Sequence, residues 1–187
     1  MTPIELLASG LGIVAVWLTV RQNPLCWPIG LVMVLLYAVF FFDARLYSLV
    51  LLHGVFATMQ VYGWWQWRLG VDESGRRPVS NTSRTEILTG LSVALALGLL
   101  LGLLMATFTE AIYPWPDALL TTFSLLAQLW MALKRWQCWL LWIVIDVLYV
   151  VFFAFQDYWL TAGLYGVFTA LALLGLREWH AAWKPAR

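Results

Sequence analysis

Charge is scarce in this sequence: its 187 residues hold 11 Lys or Arg and 10 Asp or Glu, while 63% are hydrophobic. So little polar surface cannot cover a water-soluble globule. Cysteine is scarcer still. Cys26 and Cys138 are too few for a disulfide framework and fit neither zinc nor redox spacing, so both read as small packing residues. The only histidines are His53 and His180. Without paired buried acids or a nucleophile and base in register, they give no basis for an enzyme. No G-x-x-x-x-G-K loop is present, so the chain itself hydrolyses no nucleotide, and no cofactor motif appears. No basic patch suggests nucleic acid, and a net charge of +1 identifies no partner. Lys and Arg are absent before Arg21, so the apolar start reads as a retained spanning helix rather than a secretion signal.

What the chain does have is long apolar runs, whose natural solvent is a lipid bilayer. Candidate spans are Ile4 to Val20, Trp27 to Phe42, Leu46 to Trp67, Glu86 to Thr109, Pro116 to Leu133, Cys138 to Phe155 and Tyr158 to Leu176. An open chain satisfies its own backbone in lipid only as helix, so the expected class is an all-α integral membrane protein with seven transmembrane helices. Turn or charge chemistry marks the breaks at Arg21-Gln22-Asn23-Pro24, Asp43-Ala44-Arg45, Pro114-Trp115-Pro116, Lys134-Arg135 and Gln156-Asp157. One long polar linker, Leu69 to Thr85, lacks periodicity. Cytoplasmic loops retain Lys and Arg. Seven spans put Arg21, Arg68, Arg76, Arg77, Arg84, Lys134, Arg135, Arg177, Lys184 and Arg187 on one face and Arg45 on the other. The N-terminus is therefore expected outside and the C-terminus inside the cytoplasm.

Sliding the sequence on itself by 112 residues aligns Cys26-Trp27 with Cys138-Trp139, Leu36-Tyr37 with Leu148-Tyr149, and Val39-Phe40-Phe41 with Val151-Phe152-Phe153. Gly54-Val55-Phe56 aligns with Gly166-Val167-Phe168, Gly63 with Gly175 and Trp67 with Trp179. A period of four helices returns the chain to the membrane in the same direction. The expected architecture is thus two parallel three-helix repeats joined by a linking helix, 3+1+3. Its segments are a first bundle over 1–68, a cytoplasmic linker over 69–85, a linking helix over 86–110, and a second bundle with a short tail over 111–187. The copies also differ: Trp142 stands in place of Gly30 and Asp146 in place of Val34.

Asp146 lies halfway along its span, where a carboxylate costs about 2.5 to 3.5 kcal/mol even on a lenient insertion scale. Trp139, Trp142, Asp146, Tyr149 and Phe153 share one helix face by their spacing. Aromatic faces beside a negative charge suit a flat organic cation. The plainer reading makes the tryptophans membrane packing and Asp146 a protonated or hydrogen-bonded group, and a proton relay would equally need a lone buried acid. Gln60, Ser124, Gln128 and His53 are further polar residues within spans, each able to bind a ligand or to bond across helices. Tyr165 pairs with His53 in the repeat.

The run from Trp139 to Asp146 resembles the W-x-x-W-x-x-x-N/D signature of the PnuC family of vitamin transporters, and Leu46-Tyr47 with Tyr62-Gly63-Trp64 is similar to that family's third-helix pattern. The likeness extends from about Ile4 to Trp179. It implies a fold similar to SWEET sugar transporters and facilitated diffusion of nicotinamide riboside, thiamine or a related vitamin across a bacterial inner membrane. It further implies intracellular phosphorylation as the trap and a homotrimer. On that likeness Trp139, Trp142 and Asp146 match the signature, Gln60 falls where members often carry Asn or Gln, and Tyr165 matches a frequent tyrosine. Nicotinamide riboside carriers usually end the signature in Asn; the Asp here suits either ring cation, and thiamine's aminopyrimidine could donate to it.

Overall fold

The computed structural model describes residues 3–43, 47–69, 71–72, 75 and 77–183. Arg45, Arg76, Lys184 and Arg187 of the charge asymmetry, and Leu46 of the third-helix pattern, lie outside the described residues. Seven helices follow in order: α1 Pro3–Val20, α2 Cys26–Asp43, α3 Tyr47–Arg68, α4 Arg84–Phe108, α5 Pro114–Ala132, α6 Cys138–Phe155 and α7 Trp159–Ala182. Among the described residues the only β pairing is a single bridge between Ser80 and Arg135. Helix α7 runs past the expected Leu176. Arg177, Glu178 and His180 project outward there while Trp179 stays buried, so the charges mark where the helix leaves lipid and not where it ends.

By length and apolar composition α4, α6 and α7 can each cross a membrane, and α1 and α2 carry the shorter apolar stretches Leu6–Val20 and Cys26–Phe40. Helices α3 and α5 are interrupted by His53, Gln60 and Gln66 and by Ser124 and Gln128. Large apolar side chains face outward on many helices, among them Leu88, Leu100, Val144 and Leu173. That is the surface of a multi-pass membrane protein.

The helix contacts form a closed circuit. Helix α1 packs on α2, α2 on α3, α3 on α5, α5 on α6, α6 on α7 and α7 on α1, while among the described residues α4 packs on α5 alone. Against α5, helix α4 presents Ala94, Gly98 and Gly102, small enough for Thr122, Leu119 and Trp115 to lie directly on its backbone.

Contacts recur at the 112-residue offset. Trp27 meets Trp67 edge-on at 5.4 Å between ring centroids, and Trp139 meets Trp179 the same way at 5.4 Å. The Trp67 indole donates to the Met131 carbonyl at 3.2 Å, and the Trp179 indole to the Thr19 carbonyl at 3.1 Å. Residues 67 and 179, and 19 and 131, are equivalent, so each half reaches into the other through the same bond. The turns match too. Gln22 ends α1 at φ 55° with Asn23 N donating to Leu18 O at 2.8 Å, and Lys134 ends α5 at φ 55° with Arg135 N donating to Trp130 O at 2.8 Å. These are Schellman closures, built here on side-chain-bearing residues where glycine is usual. Asp157 closes α6 likewise at φ 61°. Its side chain makes no hydrogen bond or ion pair among the described residues, so Asp157→Gly is expected to raise stability by about 1 kcal/mol by removing left-handed strain. Chemical unfolding in detergent measures it.

Two glycines are required by close approach. A Cβ on Gly63 would sit 2.2 Å from the Trp27 ring, and one on Gly175 would sit 2.5 Å from the Trp139 ring. Gly175→Ala is expected to cost about 1 to 3 kcal/mol through overpacking. A melting temperature unchanged within error would show that the ring can shift.

Candidate functional site

Helix α6 is held on both flanks, by α5 and by α7. This leaves Asp146 buried at 5% exposure, next to Ile145 at 2% in the α5 interface. The carboxylate is not turned to lipid, and it has no hydrogen bond or ion pair among the described residues. It is close enough to the Tyr149 and Tyr165 side chains to act on both electrostatically, and Tyr37 of α2 acts on Tyr165. An uncompensated carboxylate in a low-dielectric interior creates a strong local demand for a cation or for hydrogen-bond donors.

Aromatic rings line this region. Tyr149 stacks on Tyr165 at 4.6 Å and on Phe153 at 5.9 Å, Phe153 stacks on Tyr165 at 5.5 Å, and Phe168 meets Tyr165 edge-on. The repeat equivalent of the Tyr149 and Tyr165 pair is Tyr37 and His53, 5.8 Å apart. Trp142, half-buried, packs beside Tyr149 against Leu120, Ala127 and Ile145, and its indole N–H is buried without an acceptor. Trp139 differs from Trp142 in its surroundings. One face lies on Gly175 and its flank meets Trp179, so the ring is at 1% exposure. It backs the site as a packed wall.

The remaining candidates fall on separate walls. Ser124 and Gln128 are buried on α5, one turn apart, and neither has a hydrogen bond among the described residues. Gln60 of α3 lays its amide against the backbone of Gly30. At the equivalent positions Trp142 replaces Gly30 and Ala172 replaces Gln60, so bulk on one helix is matched by a small residue on its neighbour in both halves. Helices α3 and α6 do not pack on each other, so Gln60 and His53 belong to a different wall from the α6 stripe. The sequence reading missed Tyr37 and Asp117, whose charge also acts on Tyr149. The 112-residue offset, which pairs Tyr37 with Tyr149, was the available signal for the first. A groove of about 550 Å³ between α5 and α6 is lined only by apolar side chains, including Phe123, Leu148 and Phe152, and offers nothing to recognise a vitamin.

The circuit is shut at the end that carries the linker. There Trp67 and Trp179, from α3 and α7, meet at 5.8 Å, and both are buried. Lys134, 1% exposed, sits over the Trp67 ring at 4.5 Å and donates to Gln22 Oε1 at 3.1 Å and to the Arg77 carbonyl at 2.9 Å. Residues 77 to 83 then cross the α5–α6 turn as a strap. Ser80 N donates to Lys134 O at 2.9 Å, Trp136 N to Ser80 O at 3.2 Å, and Thr82 Oγ1 to Gln137 Oε1 at 3.0 Å. Gln137 also donates to Asn81, Arg77 donates to Gln66, and Arg135 pairs with Glu86 at 2.8 Å. Partial burial pulls the Arg77 pKa below the usual arginine value, a shift that leaves so strong a base charged.

Comparison with known proteins places this geometry. The chain is 25% identical over 201 residues to the nicotinamide riboside transporter PnuC of Escherichia coli K12, covering 94% of this chain and 84% of that protein. It is 26% identical over 182 residues to the riboflavin/roseoflavin transporter RibM of Streptomyces davaonensis, covering 94% and 83%. The crystal structure of the vitamin B3 transporter PnuC superposes with a TM-score of 0.78 at 20% identity, over 96% of this chain and 81% of that one, which shows a shared fold. The family model described as nicotinamide mononucleotide transporter matches residues 2–181, nearly the whole length, and the chain belongs to that family of membrane transporters.

Proposed function

We propose that the chain mediates facilitated diffusion of a cationic water-soluble vitamin, thiamine or nicotinamide riboside, across a bacterial inner membrane by alternating access, with phosphorylation inside the cell as the trap. The observation that carries this reading is the Asp146 carboxylate, buried, without a partner among the described residues and flanked by aromatic rings. Riboflavin, named for one relative, is neutral and would leave that charge unmatched; a pyridinium or thiazolium ring would match it. In this reading Trp142 stacks the ring, Asp146 stabilises its charge or accepts from its donors, and Tyr149 and Tyr165 form the opposing aromatic wall. Trp139 holds the wall from behind. Gln60, Ser124, Gln128 and His53 serve the polar groups of the cargo from the α3 and α5 sides.

The arrangement proposed with it is two parallel three-helix units, residues 1–68 and 111–187, joined by a linking helix over 86–110, with 69–85 a cytoplasmic linker. The reciprocal tryptophan bonds and matched turns support that pairing. The N-terminus lies outside, the C-terminus inside, and three copies assemble. With the strap on the cytoplasmic side, the tryptophan end is the closed inner gate. Uptake of labelled thiamine and nicotinamide riboside into proteoliposomes tests the function: at least one should enter well above empty vesicles and stop at equilibrium. Entry of neither rejects it. The lone acid equally suits proton coupling. An ionophore that collapses the pH gradient should then abolish accumulation, whereas equilibration by facilitated diffusion is indifferent to it.

A further inference from the structure

We infer that a cleft at the linker end of α6 and α7 is a binding site for an anionic phospholipid. It is formed by Trp136, Leu140, Leu173, Leu176, Arg177 and His180, none of them among the rings around Asp146, and has a volume of about 590 Å³. The inference rests on the chain spanning a membrane and is independent of what the chain carries.

The cleft is amphipathic along the membrane normal. Arg177 and His180, one turn apart on α7, are both exposed, and Arg177 has no hydrogen bond or ion pair among the described residues. Seven residues separate His180 from Leu173, a drop of about 10 Å along the helix. There the lining turns apolar: Leu173 is 54% exposed and Leu140, on the facing helix, 45%. Trp136 and Trp183 fix the level. Trp136 meets His180 edge-on at 4.9 Å and lies 6.2 Å from Trp183, the aromatic cluster expected where hydrocarbon gives way to headgroups.

A guanidinium and an imidazole at headgroup depth above an open leucine trough match a phosphodiester above an acyl chain. The neighbouring Glu178 is turned about 100° away on the helix and does not line the cleft. A free phosphate would satisfy Arg177 and His180 but would leave the trough empty, and a zwitterionic lipid would bring a cation against Arg177. The anionic lipid suits both halves.

Native mass spectrometry of the full chain, titrated with phosphatidylglycerol and with phosphatidylcholine of the same acyl chains, tests this. Phosphatidylglycerol should be retained about fivefold more, in keeping with one arginine near the membrane surface. Arg177→Gln with His180→Gln should erase the preference, and Leu173→Trp, which fills the trough at an exposed position, should displace the lipid with the charges intact. Glycerol 1-phosphate, the headgroup without chains, should not compete. An unchanged preference in the double variant overturns the proposal. So does equal competition by glycerol 1-phosphate, which would make the cleft a simple anion site.

Discussion

Asp146→Leu is expected to make the protein more stable and to abolish recognition of a cationic vitamin. Both signs come from the same observation. The carboxylate is 5% exposed and has no partner among the described residues. In the empty protein it costs folding energy, about 2.5 to 3.5 kcal/mol by insertion measurements at mid-membrane, and an apolar side chain of similar size removes that cost. In the complex the same group meets a ring cation away from water. Removing one member of such a buried charge pair typically costs about 2 to 5 kcal/mol, a loss of some thirtyfold to several thousandfold in affinity. Asp146→Asn separates charge from hydrogen bonding. It should retain part of the affinity for a ligand that donates hydrogen bonds and lose most of it for one that offers charge alone. Thermal melts of the three proteins in detergent, with and without thiamine and nicotinamide riboside, read both effects at once. A higher melting temperature with ligand-induced stabilisation intact in Asp146→Leu would remove the carboxylate from recognition. A lower one would mean that it has a structural partner.

That acid was legible in the sequence because ionisable residues are so rare inside apolar runs that one at mid-span stands out. The helices were legible for a related reason: lipid permits one backbone solution, so segment ends reduce to where charge and turn residues interrupt the runs. Cys138 to Phe155 matched residue for residue, while α7 overran because a helix can carry Arg177 and His180 into the interface without ending. The partition of the tryptophans was harder to read. Trp139 and Trp142 share a helix face and the same residue type, yet Trp139 is pinned on Gly175 and Trp142 is not. Only the neighbouring helix distinguishes them, and the repeat held the clue in its conserved Gly63 and Gly175. The linker looked like featureless polar sequence. Its residues 77 to 82 are nevertheless strapped to Lys134, Arg135 and Gln137, more than fifty positions away, through bonds that follow no local pattern.

Lys134→Met is expected to unlatch that closed end. The lysine stands where the repeat has Gln22, both turns hold these residues at φ 55°, and their side chains bond each other at 3.1 Å. Backbone strain that glycine would relieve is thus retained at the two places where side chains join the halves. Methionine preserves the bulk and the apolar stem, but deletes charge-assisted hydrogen bonds to Gln22 and to the Arg77 carbonyl and the cation over Trp67. At about 1.5 to 3 kcal/mol per charged bond and about 2 for a desolvated cation over an indole, several kcal/mol favour the closed arrangement. A two-state opening equilibrium shifts about tenfold for every 1.4 kcal/mol. Two native thiols report on it. Cys26 and Cys138 begin α2 and α6 beside the tryptophan cluster, buried at 4% and 0% exposure, and no other cysteine exists to confuse the signal. A membrane-permeant maleimide should label them slowly in the original protein and at least about tenfold faster in Lys134→Met, with Gln22→Leu intermediate because it removes one of the same bonds. If opening at this end limits transport, vitamin exchange should accelerate in parallel with labelling. Labelling rates that stay equal across all three proteins would show that the tryptophans hold the gate without the lysine.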